Sequence, residues 1–123
     1  MKQENIIADK SFKFVLRIIK LFLYLKNKKV ERDLCLQLLN SGTSIGANIE
    51  EAVGGSSKKD FIHKLEIPYR EARETRYWLR LLKESEMLEE KIAVSLIKDC
   101  EEILKILTAI FNSAKKGWND DFI

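Results

Sequence analysis

The chain has 123 residues, of which 33% are charged, yet its formal net charge is only +3, so total charge alone indicates no class of partner. Hydrophobic residues make up 46%, enough for the core of a single domain over residues 1–123. Five glycines and one proline are few for this length, which argues against a turn-rich sheet protein and favours an all-α fold.

The first two predicted helices are joined by a short basic connection. The first runs from about Asp9 to Lys26, with Asp9 or Ser11 as its N-cap, because both side chains can accept a hydrogen bond from a free backbone amide. The second runs from about Glu31 to Ala52 and ends before the glycine pair at 54–55.

The third predicted helix begins at a capping box formed by Ser57 and Asp60 and continues to about Lys83. Pro68 interrupts this segment, and a proline inside a helix removes a backbone donor and clashes with the preceding turn. We therefore expect a kink near Lys64.

The fourth predicted helix extends from about Glu89 to Gly117, and residues 118–123 are expected to form a loose tail. Short connections cannot carry the chain back to the far end of a neighbouring helix, so consecutive helices must alternate in direction. The predicted fold is an all-α, antiparallel, up-and-down four-helix bundle.

The first helix is more apolar than one bundle requires, since its apolar side chains cover roughly 220° of the helix circumference. This excess predicts a second buried surface, formed with further copies of the chain, in which Phe14 is a surplus apolar residue, and Ile18 is assigned to assembly or helix packing. The alternative is that the C-terminal tail covers the excess.

Two helices carry strips of cations at spacings of three and four residues. Arginine and lysine in such a strip can bind phosphate, and the nearby Tyr69 and Tyr77 could stack on a base. Most such strips are simply solvated or paired with neighbouring acids. The candidate nucleic-acid-binding residues are Lys10, Lys13, Arg17 and Lys20 of the first helix and Arg73, Arg76 and Arg80 of the third.

The second helix carries a mostly uncharged polar strip that includes Ser44, Asn48 and Glu51, as expected of a helix that faces another protomer or a narrow wet channel. Gly42 and Gly46 each weaken the helix by up to about 1 kcal/mol, which favours a role in letting another helix approach closely. The alternative is that both glycines are tolerated weak points.

Glu71 falls within the apolar arc of the third helix, close to Trp78. A buried carboxylate needs a partner, and Asn48 or an arginine is the expected kind. We assign Glu71 and Trp78 to helix packing or assembly, because a structural hydrogen bond is more common than a catalytic carboxylate.

No pattern for catalysis, metal binding or a cofactor is found. His63 is the only histidine, so neither a di-iron site nor a histidine-based triad can be assembled, and we predict a protein that is not an enzyme. Cys35 and Cys100 form no Cys-x-x-Cys pair, which fits a reducing cytoplasm. The N-terminal residues lack the layout of a signal peptide, and cations interrupt the longest apolar segment, so no membrane association is expected.

Two segments, Ser44–Glu51 and Glu71–Leu79, together resemble the four-helix bundle proteins encoded in intervening sequences of 23S ribosomal RNA genes, a family similar to the accessory proteins of diversity-generating retroelements. The resemblance implies a ring-like homopentamer with basic outer surfaces and a nucleic-acid-binding role, and it carries over no catalytic residues. The sequence departs from that pattern at Gly46, commonly proline, at Ala52, commonly glycine, and at Pro68.

The leading hypothesis is therefore a non-catalytic homo-oligomer, pentameric by resemblance, that binds RNA or DNA through its basic helix faces. The alternative is a protein–protein scaffold that has no nucleic-acid role.

Overall fold

The computed structural model describes residues 2–117, and every regular element in that part is a helix. The helices are α1 (Lys2–Asn27), α2 (Arg32–Val53), α3 (Lys58–Lys64), α4 (Glu66–Glu84) and α5 (Glu90–Lys115). Since α3 and α4 together form one interrupted helix, the predicted all-α four-helix bundle is confirmed. The predicted loose tail at 118–123 lies outside the described residues.

The helices follow one another around the bundle. α1 packs on α2, α2 on α4, α4 on α5, and α5 returns to α1, whereas no Cα atoms of α1 and α4 lie within 8 Å of each other. α1 and α4 therefore occupy diagonally opposite corners. Each helix contributes fully buried side chains to a single core, including Ile18, Leu38, Leu79 and Leu107.

The predicted start of the first helix is wrong, because α1 begins at Lys2. Asp9 lies inside the helix and forms an ion pair with Lys13, 3.1 Å away. Ser11 is buried and donates a hydrogen bond to the backbone oxygen of Ala8. The extra turns are retained because they place Ile7 in the core, and burial outweighs the local capping preference.

The predicted capping box at the start of α3 is confirmed. The Ser57 hydroxyl accepts a hydrogen bond from the Asp60 amide at 3.1 Å, and the Asp60 carboxylate accepts one from the Ser56 amide at 3.0 Å. The bond from the Ser56 amide favours the ionised carboxylate and, together with the nearby Lys64, lowers the pKa of Asp60.

The predicted kink near Lys64 is also confirmed, as an interruption at Leu65. α4 restarts at Glu66, which makes Pro68 its third residue. Backbone amides in a first turn have no acceptor within the helix, so Pro68 costs no hydrogen bond at this position. The break thus lets a buried proline remain in the third helix of the bundle.

Gly42 and Gly46 bring α2 against α1 of the same chain. A Cβ atom at Gly42 would lie 2.7 Å from Cγ2 of Ile18, and one at Gly46 would lie 2.8 Å from Cγ2 of Val15. Real Cβ atoms almost never approach another atom so closely, so the two glycines permit the close helix approach that the sequence predicts.

Candidate nucleic-acid interface

Two cations of the predicted α1 strip are neutralised within the chain. The Lys10 ammonium donates to the Glu102 carboxylate of α5 at 2.8 Å, which raises the pKa of Lys10 and lowers that of Glu102. Arg17 donates to Asp99 at 2.5 Å and to the Ser95 hydroxyl at 3.0 Å. Lys10 and Arg17, two of the phosphate-binding candidates on α1, therefore already have acidic partners, which α5 supplies.

The ion pairing continues to the end of α1. Lys28 donates to the Glu89 carboxylate at 2.6 Å, and the Tyr24 hydroxyl donates to the same carboxylate, so the pKa of Glu89 is lowered. Among the residues that the structure describes, Lys13 pairs only with Asp9 in its own helix. Of the four predicted α1 cations, only Lys20 has no ion pair with any residue that the structure describes.

The predicted cations of α4 form fewer ion pairs than those of α1. Arg73 and Arg80 are exposed, and within residues 2–117 neither makes a side-chain hydrogen bond or an ion pair. Arg76 is one-third exposed and lies 3.8 Å from the Glu101 carboxylate, at the long end of ion-pair distances. This face of α4 keeps cationic groups available to an anionic ligand.

A groove of about 800 Å³ runs between α4 and α5, and we call it the α4–α5 groove. Residues that line it include Tyr69, Arg73 and Arg76 of α4 and Glu101, Lys105, Thr108 and Asn112 of α5. Three of these side chains are cationic and one is acidic, so the groove favours anions.

Lys105 is a candidate binding residue that the sequence did not single out. It is exposed and has no ion pair within 4 Å in the described part of the chain. Its spacing from Glu101, Thr108 and Asn112 places all four on one side of α5. That spacing was visible in the sequence, but it did not reveal that this side of α5 lies beside α4.

An aromatic ring adjoins the cations of α4. Tyr77 is 52% exposed, and its ring packs against Trp78 at a centroid distance of 5.2 Å in an edge-to-face arrangement. The Trp78 Nε1–H group donates to Glu74 at 3.2 Å. Trp78 thus holds the tyrosine ring in place while half of the Tyr77 surface stays in contact with solvent.

The apolar excess of α1 lies on a different set of residues from those predicted. Phe14 and Ile18 are in the core, with 2% and 0% exposure, so they pack the helices of this chain and offer no exposed surface. The exposed residues form what we call the apolar stripe: Phe12 (66%), Leu16 (44%), Ile19 (39%) and Leu23 (56%). Their spacings of four, three and four place them on one face, as in the contact strip of a coiled coil.

The polar strip of α2 is partly exposed, and its expected link to Glu71 does not form. The Asn48 amide donates to the backbone and side-chain oxygens of Ser44, both at 2.9 Å, and no arginine pairs with Glu71 among the described residues. Partial burial, with Glu74 nearby, raises the pKa of Glu71. Glu51 is exposed to solvent.

Both cysteines are buried in the bundle. Cys100 lies against the backbone oxygen of Ala72, with Sγ 3.2 Å from that oxygen, and burial raises the pKa of its thiol to about 12. Burial also raises the pKa of Cys35. Neither thiol is poised as a nucleophile.

Two kinds of feature are absent from the described part of the chain. No group of three or more His, Cys, Asp or Glu side chains could hold a metal ion there. No helix of residues 2–117 combines the length and the apolar character needed to cross a bilayer.

Comparison with known proteins identifies a family model and a solved structure to which the chain is similar. The family model of the 23S rRNA-intervening sequence protein matches residues 3–109. The crystal structure of a protein of unknown function from the S23 ribosomal protein family of Bacteroides thetaiotaomicron VPI-5482 has a TM-score of 0.84 and 44% sequence identity, over 89% of this chain and 98% of that one. No curated protein matches the chain.

Proposed function

The chain belongs to the family of 23S rRNA-intervening sequence proteins, and we propose that it is a non-catalytic, homo-oligomeric module that binds RNA or DNA through cations of α4 and α5. The main support for the proposal is that the two sides of α5 carry side chains of different charge. Glu102 and Asp99 neutralise cations of α1, whereas Lys105 adds a cation to those of α4.

This distribution narrows the interface to one side of the bundle. A phosphate near Lys10 or Arg17 would have to compete with a carboxylate that is already within hydrogen-bond distance. A phosphate near Arg73 or Arg80 meets no such competitor among the described residues, and arginine can present two parallel donors to it. Binding through Arg73 and Arg80 therefore avoids the cost of breaking existing ion pairs.

Self-association is supported by the apolar stripe. Four large apolar side chains in line on one helix are more than scattered surface residues would give, and burying them against another copy removes apolar surface from water. The family resemblance implies five copies. Because several copies would present several cationic faces, weak phosphate contacts could add up to useful affinity.

Fluorescence anisotropy with a structured RNA and a DNA duplex across a salt series tests the binding proposal. We expect affinity to fall steeply with salt, and we expect the Arg73→Gln/Arg80→Gln variant to lower the slope of log K against log salt by about 1.5, for two lost phosphate contacts. The matched control is Lys13→Gln/Lys20→Gln, which removes the same charge from α1 and should leave most of the affinity. Absence of binding at low salt to the structured RNA, the duplex and an unstructured single strand alike, or equal losses in the two variants, would overturn the proposal.

A protein–protein scaffold with no nucleic-acid role is the second candidate, and the apolar stripe favours it too. Light scattering of Leu16→Gln/Leu23→Gln tests the surface, with Val94→Gln as a control, because Val94 is 50% exposed but lies on α5. Under both proposed functions, Leu16→Gln/Leu23→Gln should form a smaller assembly than the wild type, and Val94→Gln should not. The scaffold gains support if nucleic acid fails to bind the intact assembly, and a wild-type monomer at high concentration would exclude self-association.

A further inference from the structure

We infer that the nucleic acid is an unpaired strand, whose phosphates lie along the α4–α5 groove and one of whose bases stacks on Tyr77. This inference rests on the proposed function and specifies the class of ligand. It follows from the placement of an exposed aromatic ring beside a short row of cations.

The cations form a row of limited length. Arg73, Arg76 and Arg80 span seven residues of α4, which is about 10.5 Å along the helix axis. A stacked strand advances about 3.4 Å for each phosphate, so the row spans about three phosphates of one strand. Lys105 adds a cation from the opposite wall of the groove.

The aromatic ring indicates an unpaired base. Tyr77 follows Arg73 by four residues and precedes Arg80 by three, so all three side chains lie on neighbouring parts of the α4 surface. A base inside a duplex is covered on both faces by its neighbours and cannot stack on a protein ring, whereas an unpaired base can. The contact with Trp78 reduces the freedom that Tyr77 would lose on binding.

The far end of the groove offers uncharged polar groups. Tyr69 lies there, edge-on to Phe111 at 5.6 Å, together with Thr108 and Asn112. A hydroxyl and an amide can both donate hydrogen bonds to sugar and base groups and accept them, whereas lysine and arginine side chains can only donate. Glu101 is the one acid of the groove, and it can accept hydrogen bonds from base amino groups.

Binding of an unstructured oligo(dT) or oligo(U) strand is compared with binding of a DNA duplex of equal phosphate number. We expect Tyr77→Leu to weaken single-strand binding by about 5- to 100-fold, the loss typical of one stacked base, and to leave duplex binding unchanged. Tyr77→Phe keeps the ring and should bind like the wild type. Tyr24→Leu removes a partly exposed ring from α1, outside the apolar stripe, and should also bind like the wild type.

The outcomes separate this inference from the proposed function. If both ligands bind and Tyr77→Leu changes neither affinity, or weakens both equally, the inference is overturned while nucleic-acid binding stands. If neither ligand binds at low salt, both fail. Thermal unfolding of each variant by circular dichroism checks that the fold is intact, and the single-strand loss must occur in a variant that unfolds like the wild type.

Discussion

In a Gly42→Ala variant the new methyl group would stand 2.7 Å from Cγ2 of Ile18, 3.1 Å from its Cγ1 and 3.3 Å from its Cβ. Alanine in a helix interior gains about 1 kcal/mol of propensity over glycine. Overpacking a core costs about 1–3 kcal/mol, and the upper part of that range applies here. Ile18 is fully buried and β-branched, so its χ1 angle cannot turn away without strain.

We therefore expect Gly42→Ala to lower the free energy of unfolding by about 1–2 kcal/mol, or the melting temperature by about 4 °C per kcal/mol. Circular dichroism at 222 nm during urea and thermal unfolding measures this change. All variants are compared at one protein concentration, because self-association makes apparent stability depend on concentration.

Two further variants make the test specific. At Gly46 only Cγ2 of Val15 lies within 3.4 Å of the added atom, and Val15 is half-buried, so the strain in Gly46→Ala should be smaller and nearly offset by the gain in helix propensity. Ile18→Leu moves the branch away from Cβ and should recover part of the Gly42→Ala loss in the double mutant. A Gly42→Ala variant as stable as the wild type, with no coupling to Ile18→Leu, would refute the reasoning.

Three other measurements follow from the buried and paired groups. Because burial raises the pKa of Cys35 and Cys100, neither thiol should react with Ellman's reagent in the native protein and both should react in urea; a rapidly reacting native thiol would contradict this. Because partial burial raises the pKa of Glu71, the folded state loses stability as the pH rises from the ordinary glutamate pKa to that raised pKa. Glu71→Gln should therefore raise the melting temperature at pH 7 and hardly at pH 4, and an equal gain at both would count against partial burial as the cause. A double-mutant cycle of Arg17→Ala and Asp99→Ala should give a coupling of about 0.5 kcal/mol that disappears in 1 M salt, whereas a salt-independent coupling would exclude an ion pair as its source.

The features that the sequence predicted correctly depend on nearby residues or on helical periodicity. The capping box is formed by residues only three apart, Ser57 and Asp60. Any proline in the interior of a helix disturbs it, so Pro68 indicated the break. Gly42 and Gly46 signalled close packing because a glycine in a helix needs a compensating contact. The bundle followed from helix lengths and short connections.

The features that were missed depend on which helices become neighbours. The width of the apolar arc showed that α1 has more apolar surface than the core can bury. It did not show whether Phe12 or Phe14 faces the core. The acidic partners of Lys10 and Arg17 lie more than 75 residues away in sequence, and their pairing depends on the register of α1 against α5. No local signal reports that register.

The diagonal placement of α1 and α4 separates two tasks in space. Copies that met through the apolar stripe would join at one corner of the bundle and leave the opposite corner, with Arg73 and Tyr77, turned away from the contact. Assembly and ligand capture would then not compete for the same surface. Each added subunit would contribute one more accessible binding site for a long polyanion. The residence time on that polymer should therefore lengthen as the number of subunits grows.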